Sequence, residues 1–290
     1  MRSEIVSLPG GVRTRVIDEG RGPVLLFLHG NPDNADSWSR VIEACRARHR
    51  CIAPDLPGYG RRGATIASPK SFDYGRAAQV RFVDEVLAAR GIGERVTLVV
   101  HDIGGVMGVP WAATRIERVR AVVYCNTVAF PAFGWFALAR RMGARDAVGR
   151  LRAWLLMAAL GARGGRSFRA GFGRAHPQLD ARELDRFTRD FARNPIAKAT
   201  TLRQFREMVT ADALAGYDDH LRSIAGRVPT TTVWGDDDPY IDTRWAAQLL
   251  ADDTRVLPRV GHWVPLVAPD EVALAITRVG RAAATTSGSE

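Results

Sequence analysis

The sequence predicts an α/β protein, with a mostly parallel, doubly wound sheet, helices on both faces and a helical segment inserted into it. Three observations carry this. Short, largely apolar runs, most of them rich in β-branched residues, recur at 24–28, 51–54, 96–100, 119–124 and 230–234, each closed by Gly, Pro or polar residues. Such runs fit strands buried on both faces of a parallel sheet. Helix-spaced apolar positions separate several of them, and that alternation gives the doubly wound arrangement. From about 131 to 222 it stops: the stretch has helical patterns, no strand pattern, and too many residues for an ordinary loop.

Taken in order, residues 4–8 and 12–18 read as a hairpin ahead of the first parallel strand at 24–28. Residues 77–89 place Val80, Phe82, Val83, Val86 and Leu87 near helical spacing, and 245–250 and 271–279 behave similarly. Within the interrupting stretch, helical patterns fall at 151–160, 183–191 and 197–208. The expected organisation is a core at 1–130 and 223–282, a helical cap at 131–222 and a disordered tail at 283–290, whose sequence is small and polar.

The chain is long enough to bury a sizeable core without disulfides. Its three cysteines, Cys45, Cys51 and Cys125, have no paired-motif spacing, which suits a reducing cytoplasm. The first residues lack an apolar signal core, and the longest apolar run, 153–160, is far too short to span a bilayer. The expectation is therefore a cytoplasmic protein with no membrane span. The net charge of +10 raises the question of nucleic acid, yet 39 of the 41 basic residues are Arg and no aromatic-interleaved basic motif supports nucleic-acid binding. That bias fits GC-rich codon usage better than a nucleic-acid face. Most of the excess lies in 131–225, which holds 17 basic and 9 acidic residues. An acidic partner or membrane surface competes there with a plain solvated surface, which is the simpler expectation.

The most informative residue is Asp102. It follows the apolar run 96–100 and precedes Ile103-Gly104-Gly105. A strand running into a turn of small residues is the layout that pushes one nucleophilic side chain into an active site, usually a Ser. A carboxylate there is a poor acyl nucleophile but can displace a leaving group from saturated carbon. Three further pieces accompany it: His29-Gly30-Asn31-Pro32 after the first parallel strand, Trp234-Gly235-Asp236-Asp237-Asp238-Pro239 after the last apolar run, and Val260-Gly261-His262-Trp263 near the end. Alone, Asp102 would be read as a helix N-cap and His262 as structural. Three adjacent carboxylates also raise the question of a metal, but no second ligand cluster accompanies them.

With nucleophile, acid and His in that order, the chain resembles the α/β-hydrolase fold superfamily. Its Asp nucleophile places it nearest the haloalkane dehalogenases and epoxide hydrolases. The resemblance covers about residues 4–279 and implies an eight-stranded, mostly parallel sheet with an inserted helical cap. It implies Asp102 as nucleophile, His262 as base, Asp238 as the orienting acid, and an oxyanion hole from N–H groups of the Asn31 loop and Ile103. Some relatives place the acid after the strand at 119–124, where this chain has Asn126. Asp102 would attack carbon, and His262 would then activate water against the ester. No metal or organic cofactor is needed; the partners implied are a small hydrophobic organic substrate and water.

The leaving group divides the resemblance. In dehalogenases an indole N–H and a second Trp or an Asn hold the halide. Asn31 matches that Asn, and Trp154 is a candidate second donor, with core packing its competitor. Ile103 stands where those relatives usually have Trp. Epoxide hydrolases use cap tyrosines, and 131–216 contains none; His176 is a candidate substitute, with an exposed loop position as its competitor. Carbon–halogen hydrolysis is the first expectation, epoxide opening the alternative, and a non-catalytic ligand-binding protein on the same fold the third. Phe130, Phe133, Trp135 and Phe136 are expected near an apolar cavity.

Overall fold

The computed structural model describes residues 1–60, 72–131, 133–210 and 212–286. Its strands are β1 (Ser3–Ser7), β2 (Arg13–Glu19), β3 (Val24–Leu28), β4 (Arg50–Pro54), β5 (Val96–Asp102), β6 (Val119–Thr127), β7 (Thr230–Gly235) and β8 (Asp253–Leu257). They form one sheet in the order β1-β2-β4-β3-β5-β6-β7-β8. β2 pairs antiparallel with β1 and β4, and the remaining pairings are parallel.

The side-chain period of two distributes each central strand between two apolar layers. In β5, Leu98 and Val100 join one layer and Val99 the other. The first layer is closed by α2 (Arg76–Ala89) and α3 (Gly104–Thr114), the second by α1 (Ser39–Cys45) and the long terminal helix. With helices on both faces, β3 has no polar face to show, and all five of its residues are buried.

Between β6 and β7 the chain is helical: α4 (Ala137–Met142), α5 (Ala147–Ala175), α6 (Ala181–Phe187), α7 (Pro195–Met208) and α8 (Tyr217–Ile224). α5 is interrupted at Ala162–Gly165, where Arg163 (φ 50°), Gly164 and Gly165 are left-handed. α8 packs on α3, and the Tyr217 hydroxyl donates to the Val106 carbonyl at 2.5 Å. α9 (Val264–Val267) and α10 (Pro269–Thr286) complete the fold.

The residue pattern did not reveal β8. Its sequence DTRVL has four exposed residues out of five, so it forms because its backbone extends the β7 ladder. The expectation of a disordered 283–290 is corrected as far as 286. α10 continues through alanines, the best helix formers, and Val279 and Ala283, one turn apart, are both buried. Residues 287–290 lie outside the described part.

The order reverses at β3, whose neighbours are β4 and β5. In an open α/β sheet the crevice at the carboxyl ends of the strands beside such a switch point is the usual ligand position. The carboxyl ends of β5 and β6, which carry Asp102 and Asn126, and the loops after β3 and β7, which carry Asn31 and Asp238, open there.

Candidate active site

Asp102 closes β5 with φ 50°, left-handed for a residue with a side chain. The turn is pinned from β6, where Thr127 Oγ1 and the Val128 N–H donate to the Asp102 carbonyl at 2.6 and 3.2 Å. It is so tight that two glycines are obligatory. A Cβ on Gly104 would lie 2.3 Å from the Leu28 carbonyl oxygen, and one on Gly30 would lie 2.4 Å from the Asp102 Cβ. β3 and the elbow therefore touch backbone to backbone. That contact lets the Asn31 N–H donate to Asp102 Oδ1 at 2.8 Å.

His262 arrives from the loop after β8. Its Nε2 is 3.5 Å from Asp102 Oδ2, and its Nδ1 is 2.7 Å from Asp238 Oδ2. Asp238 is held by four donors: the Tyr240 and Ile241 N–H groups, the Asn126 amide and His262 Nδ1. Its neighbours in sequence face elsewhere. Asp236 and Asp237 are exposed, and Asp236 accepts the Arg259 N–H at 2.6 Å. His101 is buried, which pushes its pKa down to about 4. As a neutral ring it donates from Nε2 to the His262 carbonyl at 2.9 Å.

The charges in this cluster set one another. Burial opposes the His262 imidazolium, but the Asp238 and Asp102 carboxylates outweigh it and raise the pKa to about 10. Burial likewise opposes ionisation of Asp102, and the hydrogen bond and charge of His262 overcome it, holding the carboxylate below its ordinary range. The resting pair is thus imidazolium and carboxylate. Any chemistry that removes the Asp102 charge also removes one of the two anions sustaining the imidazolium, and releases a base. Asp102→Asn imitates that loss, so the His262 pKa is expected to fall in this variant. Titration of the ring by ¹⁵N NMR in both proteins checks it; an unchanged value would mean that Asp238 alone sets the charge.

A cavity of about 290 Å³ opens over Asp102. Phe133, Phe168, Phe172, Phe191 and Phe205 dominate its wall, with Trp135 and Phe136 beside them, while Asn31, Ser167, Thr201, Tyr240 and His262 supply polar atoms. Phe130, expected here, instead stacks on Trp245 at 4.8 Å outside the lining.

Of the sequence-expected residues, Asp102, His262, Asp238, Asn31 and Ile103 converge. Trp154 does not: it is 59 % exposed on the outer face of α5, away from the cavity. Its helix turns Ala153 and Met157 inward instead. His176 also departs from expectation. It is buried, not an exposed loop residue, and lies behind the cavity wall with its Nε2 2.8 Å from the Tyr240 hydroxyl. Burial, with the charge on His262, pushes its pKa down to about 3, so the ring is neutral.

Tyr240 and Thr201 were missed in the sequence. Burial and the carboxylates of Asp238 and Asp102 hold the Tyr240 hydroxyl well above the usual phenol range, so it stays protonated. The available signal was its place two residues after Asp238 on the same loop. Thr201 donates to Asn31 Oδ1 at 2.9 Å. Held by that oxygen, the amide keeps its NH₂ for another acceptor.

The profile of a family described as alpha/beta hydrolase fold matches residues 23–269. A haloalkane dehalogenase of Sphingobium indicum is 38% identical over 122 residues, 42% of this chain and 40% of that protein. A cis-3-alkyl-4-alkyloxetan-2-one decarboxylase of Xanthomonas campestris is 36% identical over 126 residues, 42% of each. The matched region thus spans about two fifths of these curated relatives. A solved structure from work on epoxide hydrolases in metagenomes from hot environments superposes with a TM-score of 0.69 at 25% identity, covering 96% of this chain and 98% of that one.

Proposed function

This chain belongs to the alpha/beta hydrolase fold family, and from that premise we propose a hydrolase that works at a saturated carbon through an Asp102 alkyl ester, with a strained cyclic ether as substrate class. The observation that carries the reading is the elbow itself. A carboxylate occupies it, with Oδ1 against the Asn31 N–H and Oδ2 3.5 Å from His262 Nε2. A carboxylate so placed can form a bond to carbon, and a base stands ready to direct water at the ester that results.

Because Oδ1 already occupies a hydrogen-bonded oxyanion position, the ester forms through Oδ2. The C–O bond of the ring breaks, and the alkoxide takes the Tyr240 proton. With the His176 proton on Nε2, that ring donates to the Tyr240 oxygen and leaves the phenol hydrogen free to face the cavity. Loss of the Asp102 charge then lets the His262 imidazolium give its proton, by way of solvent, to the Tyr240 phenolate, and the neutral ring deprotonates a water, which attacks the Asp102 carbonyl carbon. Negative charge gathers on Oδ1 against the Asn31 N–H. Collapse releases the diol. The departing oxygen takes the proton of the Asp102 carboxyl, which leaves the carboxylate beside the His262 imidazolium and Tyr240 as a neutral phenol, the state from which the cycle began.

Two observations favour an oxygen leaving group over a halide. Tyr240 supplies an O–H to the cavity, and Ile103 and Trp154, the positions where a halide-binding indole was expected, supply no indole N–H, although the Trp135 and Trp263 rings do line it. The Xanthomonas relative is also named for a substrate with a strained oxygen ring. Carbon–halogen hydrolysis by the same machinery is the second reading, favoured by the Asn31 amide in the wall and by the Sphingobium relative. In that case the proton passes to solvent with the halide.

Intact-mass spectrometry of His262→Gln tests both. Exposed to aliphatic and aryl epoxides, the variant should accumulate one adduct per chain with the mass of the whole epoxide. An adduct of the alkyl group alone, from bromoalkanes only, would replace the first reading by the second. No adduct from either panel would overturn the alkyl ester.

A further inference from the structure

The outer face of the first half of α5 is apolar and exposed, its flanking arginines have no carboxylate partner among the described residues, and nothing in the proposed reaction uses it. Val148, Leu151, Trp154 and Leu155 are each 51–59 % exposed, and Leu138 on α4 is 44 % exposed beside them. In the first half of α5 these side chains fall one helical turn apart on one face, opposite the buried Ala153 and Met157. By the same period Arg150 and Arg152 stand at its two edges. A helix packed on its core by one face needs no second apolar face, and contiguous exposed apolar surface of this kind marks an interaction site.

The charge around it says what the partner is. Residues 131–175 contain nine Arg and a single acidic residue, Asp146. Asp146 is already used as the helix cap, accepting the Gly149 N–H at 2.8 Å. Arg140, Arg141, Arg150, Arg152, Arg163 and Arg166 have no carboxylate partner among the described residues. A second copy of the chain packed face to face would set these arginines against their own counterparts with no acid to neutralise them. Tryptophan and leucine on one face with arginine at its borders fit an anionic lipid surface, where apolar groups enter the acyl boundary and guanidinium groups meet headgroups. The same segment reaches the cavity: Leu138, Met142, Met157 and Leu160 line it.

We propose that α4 and the first half of α5 dock on an anionic phospholipid bilayer, lying in its surface, so that apolar substrate dissolved in the membrane enters the cavity beside the docked helices. No described helix is long and apolar enough to cross the bilayer. The proposal does not depend on which bond is cleaved.

Flotation of the full chain with vesicles tests it. Binding to equal parts phosphatidylcholine and phosphatidylglycerol should exceed binding to phosphatidylcholine alone by about ten-fold or more and weaken with salt. Vesicles should shift the tryptophan emission to the blue, and Trp154→Phe should abolish that shift. The triple variant Val148→Ser, Leu151→Ser, Leu155→Ser should keep its melting temperature and lose about ten-fold in binding. No binding to the anionic vesicles, or equal binding by the triple variant, would overturn the proposal. So would a dimer in sedimentation that the triple variant abolishes, since the face would then belong to a second copy.

Discussion

Asp102→Asn should lower turnover by at least about 10⁴-fold while leaving the protein folded. The substitution is nearly isosteric, and asparagine tolerates the left-handed φ of 50° that the elbow imposes. The hydrogen bonds pinning the turn run to the Asp102 carbonyl, which the change does not touch. The Asn31 N–H can still donate to the side-chain oxygen. What is lost is the anionic oxygen that bonds to carbon, and the described wall of the cavity offers no other carboxylate in its place. Steady-state turnover of an epoxide, with a thermal melt on the same sample, measures both halves. Residual turnover within about 100-fold of wild type would mean that Asp102 only orients His262 and that water attacks the substrate directly. A collapse in melting temperature would instead make the elbow carboxylate structural.

Much of this site was legible in the sequence because its residues stand next to elements with strong local signatures. Asp102 ends a buried strand, Asn31 and Asp238 follow one within a few residues, and a parallel sheet aligns those strand ends without further information. Trp154 and His176 failed for the opposite reason. Trp154 lies in α5 and His176 caps its C-terminal end, so both depend on a rotation and a kink that tertiary packing sets, and one helical position of error turns an inward residue outward. The left-handed residues at Arg163–Gly165 break α5 between them, so no count along the sequence could carry the orientation of one half to the other. Tyr240 was hidden for a third reason. Its importance comes from meeting His176 from a different segment, and neither residue has a motif of its own. β8 was invisible because an edge strand is stabilised by its backbone ladder and needs no apolar pattern.

Arg186→Met should destabilise the protein by about 3–5 kcal/mol at pH 8. Arg186, on α6, reaches across to Asp33, two residues after Asn31 in the loop that follows β3. It donates to both Asp33 oxygens and, through Nε, to Glu183 at 2.7 Å. The Asp33 side chain is wholly buried and that of Arg186 is 10 % exposed. Removing the guanidinium would strand a buried carboxylate, and that desolvation, more than the lost attraction, sets the size of the effect. The exposed pair Arg40–Asp180, 46 % and 52 % exposed, joins the same two parts of the chain. Arg40→Met should cost no more than about 1 kcal/mol and serves as the control. The pH dependence has a definite sign. Burial already pushes Asp33 up to about 6 against the pull of Arg186, and without Arg186 its pKa rises further. Below about pH 6 both native proteins hold the Asp33 proton that their unfolded chains shed above about 4, so their stabilities fall in parallel with pH. Above it wild-type Asp33 is ionised and satisfied, while the variant goes on losing stability until its own Asp33 titrates. Urea unfolding should therefore show a wider gap between variant and wild type at pH 8 than at pH 5. Adding Asp33→Asn to the variant should close most of the gap at pH 8. A gap independent of pH, or one that Asp33→Asn leaves open, would mean that Arg186 acts through its contacts with Glu183 and Phe187, with Asp33 a bystander. Because Asn31 hangs on the same loop, the variant should also lose turnover in proportion to how far the Asn31 N–H drifts from Asp102.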